Sequence, residues 1–103
     1  MVIATALIEF DPATTEEMLE VAAKVEAASR TEPGCLRSTI ARSVSNENEL
    51  LAVQIFDRME TFEQHAAATK NDPTYQRWQE LVTGFDGAVY EGESVDISHL
   101  VAG

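Results

Sequence analysis

The sequence predicts a layered α+β domain with its elements in the order βαββααβ, and three observations carry that prediction. Apolar, β-branched runs are set off by turn residues. Helix-period stripes with capping signals at their starts lie between those runs. The third strand is apolar on both of its sides, which an isolated layer of helices would satisfy on one side only. A chain of 103 residues has room for one core, so a single domain spans residues 1–103, with 98–103 as a short tail.

Val2 to Phe10 (VIATALIEF) reads as the first strand and ends at the turn signal Asp11-Pro12. Thr14 or Thr15 is expected to cap the following helix, with Glu17 three residues after Thr14 as in a capping box. Met18, Val21, Val25 and Ala28 form its inward stripe, while Glu20 with Lys24 and Glu26 with Arg30 form i,i+4 pairs outside. Pro33-Gly34 stops the helix. Cys35 to Val44 is then the second strand, with Leu36, Ser38, Ile40 and Arg42 on one face.

The polar turn Asn46-Glu47-Asn48 leads into a third strand, Leu50 to Asp57, so these two strands form a hairpin. Leu51, Val53 and Ile55 point one way and Leu50, Ala52 and Phe56 the other. Asp57 with Glu60 is a second capping signature, followed by a helical face of Phe62, His65, Ala66 and Thr69. Asp72 as N-cap and Pro73 at the first helical position open a third helix, with the stripe Tyr75, Trp78, Leu81 and Val82 and an end at Gly84. Asp86-Gly87 is expected to turn the chain into a last strand, Ala88 to Ile97, bulged at Gly92.

Helices on one face of an antiparallel sheet leave the other face uncovered, and in a chain this short the cover is a second copy, so the pattern predicts a homodimer. The alternative is a monomer in which the apolar strands are ordinary buried segments. Between sheet and helices a cleft for a small aromatic or hydrophobic ligand is expected.

The 18 acidic against 7 basic residues give a net charge of −11, which repels phosphate backbones and anionic membranes alike, so neither nucleic acid nor membrane is an expected partner. No apolar run approaches the ~20 residues of a membrane span, and Met1 to Phe10 lacks the basic start of a signal peptide, so a cytoplasmic location is expected. Cys35 is the only cysteine and the two histidines lie far apart in sequence, so no metal site is expected.

Glu32 to Leu36 (EPGCL), the strand hairpin after it, Phe56-Asp57, and Glu60 to His65 (ETFEQH) together resemble the antibiotic biosynthesis monooxygenase (ABM) domain family over nearly the whole chain. The resemblance implies a dimeric α/β barrel of ferredoxin-like topology. It also implies cofactor-free chemistry of the anthrone and quinol oxidase kind, in a family that includes haem-degrading enzymes and an isomerase.

His65 matches the helix histidine of that family and is the candidate catalytic base for a phenolic proton. Taken without the resemblance, it reads as a core-edge histidine holding a hydrogen bond. Phe56, Phe62, Tyr75 and Trp78 are candidates to wall a flat substrate, though aromatics at helical spacing are also plain core. Gln54 either faces the cleft or bonds a helix end, and Tyr90 is a further candidate at its rim. Two departures from the family stand out. Ala52 and Phe56 occupy the places of an Asn and a Trp used by the anthrone oxidases, and Ala6 and Gln79 those of an Asn and a ligating His needed for haem degradation. The expected function is therefore a cofactor-independent monooxygenase acting on a small phenolic, quinol or polyketide-like aromatic ring with O2. The alternatives are a non-catalytic ligand-binding dimer, or an isomerase or cyclase using the same pocket.

Overall fold

The computed structural model describes residues 1–101, so the last two residues of the expected tail lie outside the described residues. The order is β1 (Val2–Phe10), a 3-10 turn (Pro12–Thr14), α1 (Thr15–Arg30), β2 (Cys35–Arg42), β3 (Glu49–Phe56), α2 (Met59–Thr69), α3 (Pro73–Leu81), β4 (Val82–Glu91) and a second 3-10 turn (Ser98–Leu100). The four strands pair antiparallel in the order β2-β3-β1-β4, a ferredoxin-like α+β fold as expected.

α1 buries Met18, Val21, Ala22, Val25 and Ser29, whereas Ala28 is exposed. The reason is periodicity: steps of four and three residues from Met18 keep Ala22, Val25 and Ser29 in one stripe, and Ala28 falls beside it. The expected capping box does not form. Asp11 Oδ1 accepts from Ala13 N at 2.9 Å and opens the 3-10 turn, while Thr14 Oγ1 donates to the Asp11 carbonyl. Glu26 and Arg30 pair at 3.0 Å; Glu20 and Lys24 do not.

Asp57 likewise caps no backbone N–H at the start of α2; its Oδ1 accepts from Thr61 Oγ1 at 2.6 Å. Thr61 joins His65 on the buried stripe of α2, and Ala66 is exposed. The cap of α3 forms as expected, with Asp72 Oδ1 accepting from Thr74 N at 2.8 Å and Tyr75 N at 3.4 Å.

The last strand differs most from expectation. β4 starts directly after α3 at Val82, and Asp86 and Gly87 pair with Leu7 and Ala6 instead of turning. β1 offers an open edge along its whole length, and zipping onto it outweighs a local Asp-Gly turn; no positive φ occurs there. Gly84 therefore lies within the strand, the register shift falls opposite Glu9 and Phe10 rather than at Gly92, and the strand ends at Glu91, with Gly92 still bonded to Met1. In β2 a similar shift at Leu36 turns that side chain out of the face it was expected to share, and the strand ends at Arg42.

The register also settles which face is which. Ile8, Phe10 and Leu50 meet Met18, Val21, Ala22 and Val25 of α1 and Leu81 of α3 in the core. The opposite face carries Ile3, Thr5 and Leu7 of β1 and Leu51, Val53 and Ile55 of β3, with no element over it among the described residues; Leu7 and Leu51 are each 41% exposed.

Candidate functional site

A cleft of about 440 Å³ opens between the inner face of the sheet and the helices. Its origin is in side-chain size. Where the sheet carries Ile8, Phe10 and Leu50 at one end, and Val2 and Phe56 at the other, it is packed solid. Between them Ala4 and Ala6 of β1, Ala52 of β3 and Gly87 of β4 lie side by side in the register, and these small residues leave the space unfilled. Phe62 and His65 of α2, Tyr75 and Trp78 of α3, and Phe85 of β4 form the walls. The same five residues line a contiguous recess of about 480 Å³ that reaches Thr69, Gln79 and Val82.

His65 is 8% exposed, and its Nδ1 lies 2.5 Å from Glu32 Oε2. Gly34 is what lets Glu32 approach. Its φ of +78° is open to glycine at little cost. A Cβ there would fall 2.5 Å from Asp57 Oδ1 and 2.7 Å from Thr61 Cβ, so only a bare backbone packs directly on the first turn of α2. Thr61 is one helical turn before His65, and Glu32 is thereby brought against the imidazole. The ring is further fixed by Phe56, at a centroid separation of 5.1 Å, and by the edge of Tyr75 at 5.9 Å.

A second polar group lies beside the first. Gln54 Nε2 donates to Ser29 Oγ at 3.0 Å, and Ser29 Oγ is 2.5 Å from the Tyr75 hydroxyl. Burial pushes the Tyr75 phenol above its ordinary range; the Ser29 bond opposes this, and the Glu32 charge adds to it. α3 is held to α1 by Arg77, whose Nε and Nη2 reach the two carboxylate oxygens of Glu17 at 2.7 and 2.6 Å.

Of the residues expected at the site, the structure brings Gln54, Phe62, His65, Tyr75 and Trp78 together around the cleft. Phe56 is fully buried behind His65 and Phe62, so it supports the wall without facing the space. Tyr90 pairs with Ile3 and points to the opposite face of the sheet, because its parity along β4 is the reverse of that of Phe85, Gly87 and Val89. Ser29 and Glu32 went unrecognised in the sequence: the one reads as a helix residue and the other as part of a turn. The alternating alanines of β1 were the available signal for an unfilled floor. Among the described residues, no three potential metal-ligating side chains converge.

The family model for antibiotic biosynthesis monooxygenases matches residues 1–81. No curated protein sequence matches the chain. Among solved structures, a candidate antibiotic biosynthesis monooxygenase from Deinococcus radiodurans is similar at a TM-score of 0.84 and 22% identity, covering 94% of this chain and 98% of that one. A cofactor-independent oxygenase from Streptomyces nogalater is similar at 0.78 and 19% identity, with 91% and 94% covered. A candidate antibiotic biosynthesis monooxygenase from Nitrosomonas europaea gives 0.73 and 21% identity, with 89% and 98% covered. At these identities the structural likeness is one of fold.

Proposed function

The chain belongs to the antibiotic biosynthesis monooxygenase family, and from that premise we propose that it oxidises a small phenolic, quinol or polyketide-like aromatic ring with O2, without metal or organic cofactor, in the cleft between sheet and helices. The observation that carries this reading is the buried His65 imidazole, held 2.5 Å from the partly buried Glu32 carboxylate, in the wall of a largely apolar and aromatic space. Glu32 engages Nδ1 and so holds the neutral ring in the tautomer whose basic atom is Nε2. The carboxylate also faces the positive charge that the ring acquires on taking a proton.

In this scheme Nε2 takes the phenolic proton, and the anion passes one electron to O2, giving a ring radical and superoxide. The two recombine by forming a C–O bond at a ring carbon bearing hydrogen, and His65 returns its proton to the peroxide. Loss of water then leaves a carbonyl, so one oxygen atom enters the product, the other leaves as water, and all the electrons come from the substrate. The protein supplies positioning and a dry space, with Trp78, Phe62 and Phe85 flanking a flat ring.

Oxygen uptake with a panel of quinols and anthrones tests the proposal. Wild type is expected to consume O2 with at least one of them, and His65→Ala to lower that rate by about tenfold or more. An unchanged rate rejects His65 as the base. Binding without uptake across the panel favours the second reading, a ligand-binding dimer, or an isomerase or cyclase with the same base. What supports that reading is Ala52 and Ala6 in the cleft floor, where neither offers a side-chain hydrogen bond.

The proposal includes a homodimer formed through the uncovered sheet face, supported by the apolar side chains of Leu7, Leu51, Val53 and Ile55 there. It places the protein in the cytoplasm, which the excess of 18 acidic over 7 basic residues and an unpaired Cys35 support. No helix among the described residues is long and apolar enough to cross a membrane.

A further inference from the structure

The base chemistry of His65 makes no use of the polar chain beside it. Gln54 Nε2 donates to Ser29 Oγ at 3.0 Å, and Ser29 Oγ lies 2.5 Å from the Tyr75 oxygen. A carboxamide nitrogen has hydrogens only to give, so at this contact Ser29 receives. Ser29 is wholly buried, so no water takes its one hydroxyl hydrogen, and the Tyr75 oxygen is the acceptor beside it. Tyr75 then has to aim its own hydrogen away from Ser29, and the space its side chain lines is the cleft. Each bond polarises the next, so the chain strengthens the donor at its end.

We infer that Tyr75 is a catalytic residue, a hydrogen-bond donor to the oxyanion that His65 generates, with Ser29 and Gln54 as positioning residues that keep its hydrogen turned toward the cleft. The inference rests on the proposed function and deepens it. The ligand class becomes a ring bearing an ionisable hydroxyl, its oxygen lying within reach of both the imidazole and the phenol, whose rings meet edge to face at 5.9 Å. An apolar ring of the same shape gains nothing from Tyr75.

Two probes separate these cases: 4-nitrophenol, whose ionisation is visible in its absorbance, and nitrobenzene, which lacks the hydroxyl. Wild type is expected to bind the nitrophenolate about tenfold or more tightly than nitrobenzene. Tyr75→Phe should cut that preference several-fold, leaving the share that His65 supplies, while nitrobenzene affinity stays within about twofold, which also shows that the cleft is intact. In Gln54→Glu the ionised carboxylate takes the Ser29 hydrogen, Ser29 accepts from Tyr75, and the donor is turned away from the ligand. That variant should show the same drop in preference, and adding Ser29→Ala should reverse it by cutting the chain.

A drop that persists in the double variant is repulsion between charges and overturns the relay. A preference undiminished in Tyr75→Phe, or absent from wild type, overturns the inference as a whole. Preference lowered as expected, with no oxygen uptake from any quinol, keeps the donor and discards the monooxygenase reading. Uptake by a wild type indifferent to Tyr75 does the reverse.

Discussion

Glu32 and His65 are separated by 33 positions and meet at 2.5 Å in a site where the imidazole is almost wholly buried. A lone imidazole there would be free to expose either nitrogen, and the carboxylate removes that choice. Glu32→Gln keeps the shape but not the charge, and its amide offers both a donor and an acceptor to Nδ1. It is expected to lower the oxygen-uptake rate by about tenfold or more with ligand affinity little changed, because the interaction strengthens only as the ring becomes charged. A loss confined to ligand affinity would assign Glu32 to binding instead. The histidine was legible because a motif carries it. The glutamate, although part of the EPGC stretch, was not, since no local periodicity links a turn residue to a helix 33 positions on.

The turn at Gly34 couples folding to the site. Gly34→Ala places a methyl group where α2 already packs, 2.5 Å from Asp57 Oδ1 and 2.7 Å from Thr61, and forces a positive φ on a residue that resists it. The cost is expected to be about 1–3 kcal/mol of stability, read from denaturant midpoints. Because the turn carries Glu32, activity should fall further than stability alone accounts for; full activity at unchanged stability would contradict the coupling. β1, α1, α3 and the hairpin were readable from apolar β-branched runs, turn residues, helical period and, for α3, its cap, since those signals are local. β4 was not, because its extent is set by the length of β1 to which it pairs, and the local Asp86-Gly87 signal is overridden by eight ladder partners running from Val2 to Glu9. Tyr90 lies on the outer side of the sheet because its parity is set by its pairing with Ile3, a register that no local signal reveals.

Taken whole, the molecule gives its two sheet faces different roles. The inner face is interrupted by Ala4, Ala6, Ala52 and Gly87 and so floors the cleft; the outer face carries an apolar centre of Ile3, Leu7, Leu51, Val53 and Ile55 that no described element covers. The sequence showed that both faces needed cover, while the assignment of parity required the register. If the outer face joins two copies, Leu51→Asp should shift the mass measured by light scattering from two chains to one while the helical circular dichroism is retained, since Leu51 is 41% exposed in the single chain. A wild type that is already monomeric would sink the dimer proposal.

Whether the His65–Glu32 cleft inserts oxygen into an aromatic ring is decided by turnover under 18O2 with the quinol or anthrone that gives the fastest uptake. One labelled oxygen atom is expected in the product and one in water for each O2 consumed. Product carrying no label, with the O2 recovered as hydrogen peroxide, would contradict it.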